Sequence, residues 1–276
     1  MNYSFAGHIF DITLEGLQVP RSFMSFESAD TKAQFRVSLH EVNIENYTPI
    51  KSYDWFESTC TFMQGPDDHF AWLRVDSVSA CGEWVAWQGF YPHEFFICSS
   101  GRSYVLELLI LIAFTYATLP LETLVLHSSV VEYNASGYMF LGESGTGKST
   151  HTRLWTENIT GAVMVNDDAP VVRVIDGVAH VFGSPWSGKG CVFRNVDLPI
   201  AGIYRLRQAP INRLKRIAAV EAFAALMPSC LPVLMEVEQH TDMAFATLDN
   251  LISQTSLFVL DCLPNAEAAF MACEGR

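Results

Sequence analysis

The stretch FLGESGTGKSTHTRLW, Phe140 to Trp155, constrains the fold of this chain more than any other. Gly142, Gly147, Lys148 and Ser149 fit G-x-x-x-x-G-K-[ST], the signature of a loop that cradles nucleotide phosphates. The pattern requires an apolar strand ending near Leu141, a tight loop, and a helix starting near Lys148. Glycines at 142, 145 and 147 let the backbone curl around an anion without Cβ clashes. Successive amide N–H groups then point inward, and the positive end of the following helix faces the same point. The expected nucleotide-binding residues are Gly142, Glu143, Ser144, Gly145, Thr146, Gly147, Lys148, Ser149 and Thr150. Lys148 can reach the β- and γ-phosphates, and the hydroxyl of Ser149 occupies the usual magnesium-ligand position.

The neighbouring sequence narrows the choice among phosphate-loop proteins. In LVLHSSVVEYNASGYMFLGESG, the turn residues Asn134-Ala135-Ser136-Gly137 separate two apolar, β-branched runs. Two antiparallel strands are therefore expected before the loop, where most phosphate-loop enzymes enter from a single parallel strand. The loop helix should run to about Glu157. AVMVNDDAPVVRV and VAHVFGSPW flank Asp176-Gly177, a hairpin signal. IAGIYRLRQA and SLFVLDC read as strands. NRLKRIAAVEAFAALM reads as a helix stopped by Pro228, and DMAFATLDNLISQ and NAEAAFMAC as further helices. The expected class is an α/β fold with a mixed sheet.

Residues up to about 100 are rich in strand signals. QFRVSLHEV and AWLRVDSV alternate apolar and polar positions, and Gly65-Pro66-Asp67-Asp68 and Cys81-Gly82 mark turns. This predicts a small antiparallel β domain over 1–102 ahead of a phosphate-loop domain over 103–276. Trp55, Trp72, Trp84 and Trp87 are expected in its core, with a partner-binding surface as the alternative. The apolar run Leu108 to Leu121 falls short of the roughly 20 residues a membrane span needs, and reads as a buried helix.

The net charge is −13 over 276 residues. That argues against nucleic acid and against an anionic membrane surface, both of which need a basic face. Seven cysteines (Cys60, Cys81, Cys98, Cys191, Cys230, Cys262 and Cys273) are scattered singly, which fits reduced thiols better than a disulfide framework or a zinc site. The opening residues lack a basic region followed by an apolar run, so no signal peptide is expected. Together these point to the cytoplasm. Assembly into a homo-oligomer is left open.

Three further candidates accompany the loop. Asp167-Asp168 follows the apolar run Ala162-Val163-Met164-Val165, close enough after Lys148 for one helix, a turn and one strand. Adjacent acids beside a phosphate loop can divide labour, one on magnesium and one accepting the proton of an attacking hydroxyl; the bland reading is a solvated turn. His127 lies on the first strand of the hairpin before the loop, where a lone histidine is more often a core residue. His151, on the loop helix, is expected to be exposed. Lys189, in Trp186-Ser187-Gly188-Lys189-Gly190, is either a phosphate or substrate contact or a surface cation.

Taken together, LHSSVVEYNASGYMFLGESGTGKST, VNDDAP and FGSPWSGK resemble the kinase domain of the HPr kinase/phosphorylase family, which is structurally related to ATP-dependent phosphoenolpyruvate carboxykinase. The resemblance covers about Val105 to Cys273. It implies a mixed-sheet phosphate-loop kinase fold, and phosphorylation of a serine-type hydroxyl with ATP and Mg2+. It further implies that Gly142 to Thr150 form the phosphate loop and that His127 lies near the catalytic acid. Asp167 and Asp168 match the family's acid pair, one of them as base. The catalytic set is then Asp167, Asp168, His127 and Lys148, with Ser149 and Asp168 at the metal. The first hundred residues do not match that family, and its glycine-rich phosphorylase segment is not seen after the acids. An acceptor other than HPr is therefore expected: a protein, peptide or small molecule. A nucleotide-dependent binding module with little or no phosphotransfer is the alternative.

Overall fold

The computed structural model describes residues 1–55, 58–77 and 82–275. Cys81 and the side chain of Trp55 lie outside the described residues. The chain forms two compact units, Met1–Leu121 with Val233–Met243, and Glu122–Pro232 with Ala244–Arg276.

The first unit is built on an eight-stranded sheet. Its strands are β1 (Asn2–Phe5), β2 (His8–Thr13), β3 (Phe35–Leu39), β4 (Thr48–Trp55), β5 (Ser58–Gln64), β6 (His69–Asp76), β7 (Glu83–Gln88) and β8 (Glu94–Cys98), in the order β1-β2-β3-β8-β7-β6-β5-β4. β3 runs parallel to both β2 and β8, while the meander from β4 to β8 is antiparallel. The sheet is thus mixed rather than wholly antiparallel. The chain crosses from β3 to the far edge before winding back, and β8 returns beside β3.

Helix α1 (Ser103–Thr118) lies against β3 and β7 of this sheet and is almost wholly buried after its first turn. Phe114 meets Phe10 at 5.6 Å between ring centroids, and Tyr116 stacks on Trp87 at 4.3 Å. The boundary expected at 102/103 therefore shifts to Leu121, because the apolar surface of α1 is spent on the first sheet. By length and composition Ser103–Leu121 could cross a membrane, but 72% of that window is buried inside the protein. A helix apolar on every side is what an internal position demands. Trp72 and Trp87 are fully buried and Trp84 nearly so, as expected of core residues. Residues 233–243 rejoin this unit far along the chain, where His240 packs among Phe70, Phe90 and Tyr116.

The second unit contains β9 (Thr123–Val125), β10 (Ser128–Tyr133), β11 (Ser136–Leu141), α2 (Lys148–Asn158), β12 (Val163–Asn166), β13 (Val171–Ile175), β14 (Val178–Phe182), β15 (Asp197–Gln208), β16 (Arg213–Arg216) and α3 (Ala219–Leu226). α4 (Glu238–Gln254), which belongs to this unit from Ala244 onward, β17 (Leu257–Cys262) and α5 (Ala266–Glu274) follow. The long strand β15 joins the sheet. Its first residues pair antiparallel with β14, its middle runs parallel to β11, and its end runs parallel to β17. The path is β12-β10-β11-β15-β14-β13-β9, with β17 and β16 continuing from β15. Both units are α/β in content and both sheets are mixed.

Both expected hairpins form. Asn134 and Ala135 have φ of 50° and 54°, and Asp176 and Gly177 have 50° and 77°, the positive values that a two-residue turn between twisted strands requires. One expected helix start is wrong. Arg213–Arg216 is a strand antiparallel to β17, and helix α3 begins only at Ala219. Leu, Lys and Arg favour helix locally, but the open edge of β17 offers backbone hydrogen bonds that outweigh that preference.

Tyr138, Phe140, Trp155, Tyr204, Phe258 and Leu260 form the core beneath α2 and α5. Tyr138 packs on Trp155 at 4.6 Å and Tyr204 stacks on Phe258 at 5.1 Å. This packing fixes α2 against the sheet, and so fixes the loop that precedes it.

Candidate functional site

The glycine-rich loop spans the end of β11 and the start of α2, as its sequence requires. Gly145 and Gly147 have φ of 81° and 109°, left-handed values that would strain any residue with a Cβ. Gly147 is the residue that caps α2, and no side chain caps the helix there. The first N–H groups of a helix have no intrahelical acceptor. In α2 they therefore face the hollow of the loop, where an anion would satisfy them.

Lys148 is buried, and its Nζ donates to the carbonyl of Gly142 at 2.7 Å. Its ammonium is held across the loop rather than extended into solvent. Burial lowers its pKa, and the negative charge of Asp168 opposes that shift. Ser149 is exposed on the first turn of α2 and Thr150 half-buried. Gln208, at the end of β15, donates to the carbonyls of Gly145 and Thr146 at 3.2 and 3.4 Å, bracing the loop from the neighbouring strand. Arg205, three residues earlier on the same strand, donates to the carbonyl of Ala225 and sits 3.9 Å from the carboxylate of Glu143. A cleft of about 500 Å3 lies between the loop rim and this strand, lined by Glu143, Ser144, Arg205 and Arg207 among others.

The acids follow β12, which pairs antiparallel with β10. Asn166, fully buried, shapes the turn that carries them. Its Oδ1 accepts from the N–H groups of Asp168 and Ala169, each at 2.9 Å. Its Nδ2 donates to the carbonyls of Ser184 and Trp186 and to the hydroxyl of Ser184. We expect Asn166→Ala to lower stability by about 1–3 kcal/mol, since it leaves buried donors and acceptors unpaired. Denaturant unfolding checks this, and an unchanged midpoint would show that the turn forms without Asn166.

The two carboxylates do different things. Asp167 accepts from the hydroxyl of Ser187 and from the N–H groups of Gly188 at 2.8 Å and Gly190 at 2.7 Å. It thereby holds the 187–190 loop. A Cβ on residue 190 would lie 2.6 Å from Asp167 Oδ2, so only glycine lets that N–H approach. Lys189, at the tip of this loop, is exposed. Asp168 has no such commitment. Its carboxylate is about half exposed and lies 3.9 Å from Nδ1 of His127. Burial raises its pKa above the ordinary carboxylate range, with the nearby Asp167 charge adding to the rise, while His127 and Lys148 oppose it. His127 is shifted downward, by burial first and then by the Lys148 charge, against the pull of Asp168. Asp168, Lys148 and His127 therefore form one electrostatic cluster at the mouth of the loop.

His127 lies at a bend between β9 and β10, its side chain about half exposed, rather than within a strand. Its N–H donates to the carbonyl of Ser229. The expectation for His151 is reversed. It is buried against Phe140, its Nε2 accepts from Trp155 Nε1 at 3.1 Å, and burial lowers its pKa to about 4. It faces the core because the helix turns it beneath the loop. Asn166, Arg205 and Gln208 were not singled out from the sequence. Asn166 carries a readable signal, an Asn followed within three residues by two turn acids. Arg205 and Gln208 depend on the pairing of Leu141 with Arg205 across distant strands, which no local pattern supplies.

Among the described residues no group of three or more His, Cys, Asp or Glu side chains is arranged to hold a metal ion. Cys60, Cys98, Cys191, Cys230, Cys262 and Cys273 are free thiols.

No family model matches the chain, and no curated protein matches it. Among solved structures, it is similar to the HPr(Ser) kinase/phosphatase from Coxiella burnetii, at 11% identity and a TM-score of 0.29. That likeness covers 53% of this chain and 89% of the other.

Proposed function

We propose that this protein is an ATP-dependent kinase that transfers the γ-phosphoryl group to a serine-type hydroxyl on a protein, peptide or small molecule. The observation that carries the reading is the arrangement of Asp168. A carboxylate with a raised pKa, half open to solvent, shares an electrostatic cluster with the one lysine of the phosphate-binding signature.

The residues fit the donor. The orphan N–H groups of α2 and the left-handed glycines supply an anion cradle, and Lys148 supplies a cation reaching the β- and γ-phosphates. The Ser149 hydroxyl would hold Mg2+, whose charge would offset the negative charge that develops in transfer. Magnesium commonly takes one or two protein ligands and completes its shell with phosphate oxygens and water, so a dedicated cage is not required. Asp168 accepts the proton of the acceptor hydroxyl as its oxygen attacks phosphorus. His127 positions that carboxylate. Asp167, already accepting three hydrogen bonds, shapes the adjoining loop instead of touching phosphate.

Incubation with γ-labelled ATP, magnesium and a cell extract, followed by identification of the labelled species, tests the reading. Label should appear on a hydroxyl and be lost when Asp168→Asn protein is used. Tight ATP binding with no transferred label would instead favour the nucleotide-dependent binding module.

A further inference from the structure

Positive charge gathers on one edge of the second unit's sheet, where phosphoryl transfer does not use it. Arg205, Arg207, Arg213, Lys215 and Arg216 belong to the 17 lysines and arginines of a chain whose net charge is −13. Strand register brings four of them together. Arg207 and Arg213 flank Asp261 from either side of β17, and Arg205 and Lys215 flank Val259. Directly paired residues point to the same face of a sheet, so these four share one. The other face carries Tyr204, Leu206, Phe258 and Leu260 into the core. Glu143 lies 3.9 Å from Arg205, and Glu221 lies 3.4 Å from Lys215. Arg207 and Arg213 are exposed, and among the described residues neither has an ion pair. The edge itself is open: β16 pairs with β17, and among the described residues no strand pairs with its other side. The N–H of Ile217 donates to the carbonyl of Leu257 at 3.0 Å, which sets the phase of the ladder. Hydrogen-bonded positions alternate in an antiparallel pair, so Arg213 and Lys215 bond to β17 and the N–H and C=O groups of Leu214 and Arg216 point outward.

We infer that β16 docks an acidic, extended segment of the phosphoryl acceptor, which is therefore a protein or peptide. The inference rests on the kinase reading for the word acceptor, and adds the class of acceptor to it. An extended peptide joins an open edge through backbone hydrogen bonds, and the side chains beside that edge select its sequence. Here they select for charge. Alternate carboxylates of the added strand would lie beside Arg213 and Lys215, with Arg207 across β17, whereas a basic segment would be repelled. Nucleic acid has no peptide backbone to extend the ladder from Leu214 and Arg216, and a chain of net charge −13 repels it. The docked segment is distinct from the hydroxyl that reacts. β16 lies four strands from β10, beside which His127 stands. At about 4.8 Å per strand that is about 19 Å, or roughly six extended residues. Cations on an edge strand also serve to keep sheets from joining, and the experiment separates that role from docking.

Two fluorescent peptides of equal length, one of Glu-Ser repeats and one of Lys-Ser repeats, are titrated with the protein and followed by anisotropy. Wild-type protein should bind the Glu-Ser peptide about tenfold more tightly or better, the sum of several exposed charge pairs, and the preference should fade as salt rises. Arg213→Glu combined with Lys215→Glu should reverse the preference and leave ATP affinity within about twofold, which also shows that the variant folds. Arg216→Pro deletes an outward N–H without breaking the ladder to β17, and should weaken the Glu-Ser peptide more than Arg216→Gln does. Equal binding of the two peptides, or a preference that charge reversal leaves unchanged, would overturn the inference and leave the cations as guards of the edge. So would an oligonucleotide of equal charge that binds as tightly, or a wild-type dimer that the reversal dissolves, since the edge would then belong to a second copy. Labelled ATP keeps the two readings apart. A Glu-Ser peptide extended by a flexible serine tail should take label on the tail. Docking as expected with no label on any serine would strike the kinase reading, and the acceptor with it, while the edge stood as a docking site for acidic chains.

Discussion

Asp168→Asn should lower phosphoryl transfer by about 10²–10⁴-fold, the usual worth of a positioned proton acceptor, while ATP affinity and unfolding midpoint stay near wild type. The isosteric amide keeps the shape of the turn but cannot take a proton. Little stability is at stake, because the carboxylate is about half exposed and its neighbour His127 is too distant for a hydrogen bond. The pH profile supplies a second readout. A base works only when deprotonated, and burial has raised this pKa above the ordinary carboxylate range. Turnover should therefore fall, as pH drops, at a higher pH than a solvated aspartate would give. His127→Ala should cost less, about tenfold or below, but should move that acid limb upward, because protonated His127 normally holds the Asp168 pKa down. Asp167→Asn is the control. Its amide N–H would face the donating N–H of Gly190, loosening the 187–190 loop without removing the base. A larger turnover loss for Asp167→Asn than for Asp168→Asn would reverse the assignment of the two acids.

That assignment shows where the sequence stops being informative. The glycines, Lys148, both hairpins and most strands are legible because each is fixed by local chemistry: positive φ at a turn, alternation along a strand, apolar runs of suitable length. The acid pair is legible as a pair for the same reason. Which acid is free is not, because the answer lies in partners some twenty residues away, at Ser187, Gly188 and Gly190. The helix expected from Asn212 onward failed in the same manner, since the edge of β17 recruits Arg213–Arg216 from a distance. His151 was misjudged because a polar residue in the first turn of a helix reads as solvated, whereas Phe140 and Trp155 enclose it. The return of residues 233–243 to the first unit has no local signature either.

Lys148→Ala should weaken ATP by roughly 10²–10⁴-fold and at the same time leave the free protein no less stable. The first half follows from the hydrogen bonds that truncation removes. A lysine reaching both β- and γ-phosphates makes two charge-assisted hydrogen bonds, each worth about 1.5–3 kcal/mol, and every 1.4 kcal/mol is about tenfold in affinity. The second half follows from the sign of the pKa shift. Burial lowers the Lys148 pKa from its ordinary value, so the folded state holds this proton less readily than the unfolded chain does. At neutral pH, well below the unfolded pKa, the charged side chain therefore opposes folding, and truncation relieves that cost. It also gives up the hydrogen bond to Gly142, and this offsets part of the relief. A residue retained only for structure would behave in the opposite way, losing stability on truncation and leaving ligand affinity alone. Calorimetry and thermal unfolding, each with and without ATP and magnesium, separate the two. Wild-type protein should melt higher with ATP, because a ligand at free concentration L that binds only the folded state stabilises it by RT ln(1 + L/Kd), and Lys148→Ala should show almost no such rise. A variant that unfolds easily yet binds ATP normally would make Lys148 a scaffold residue and remove the nucleotide from this loop.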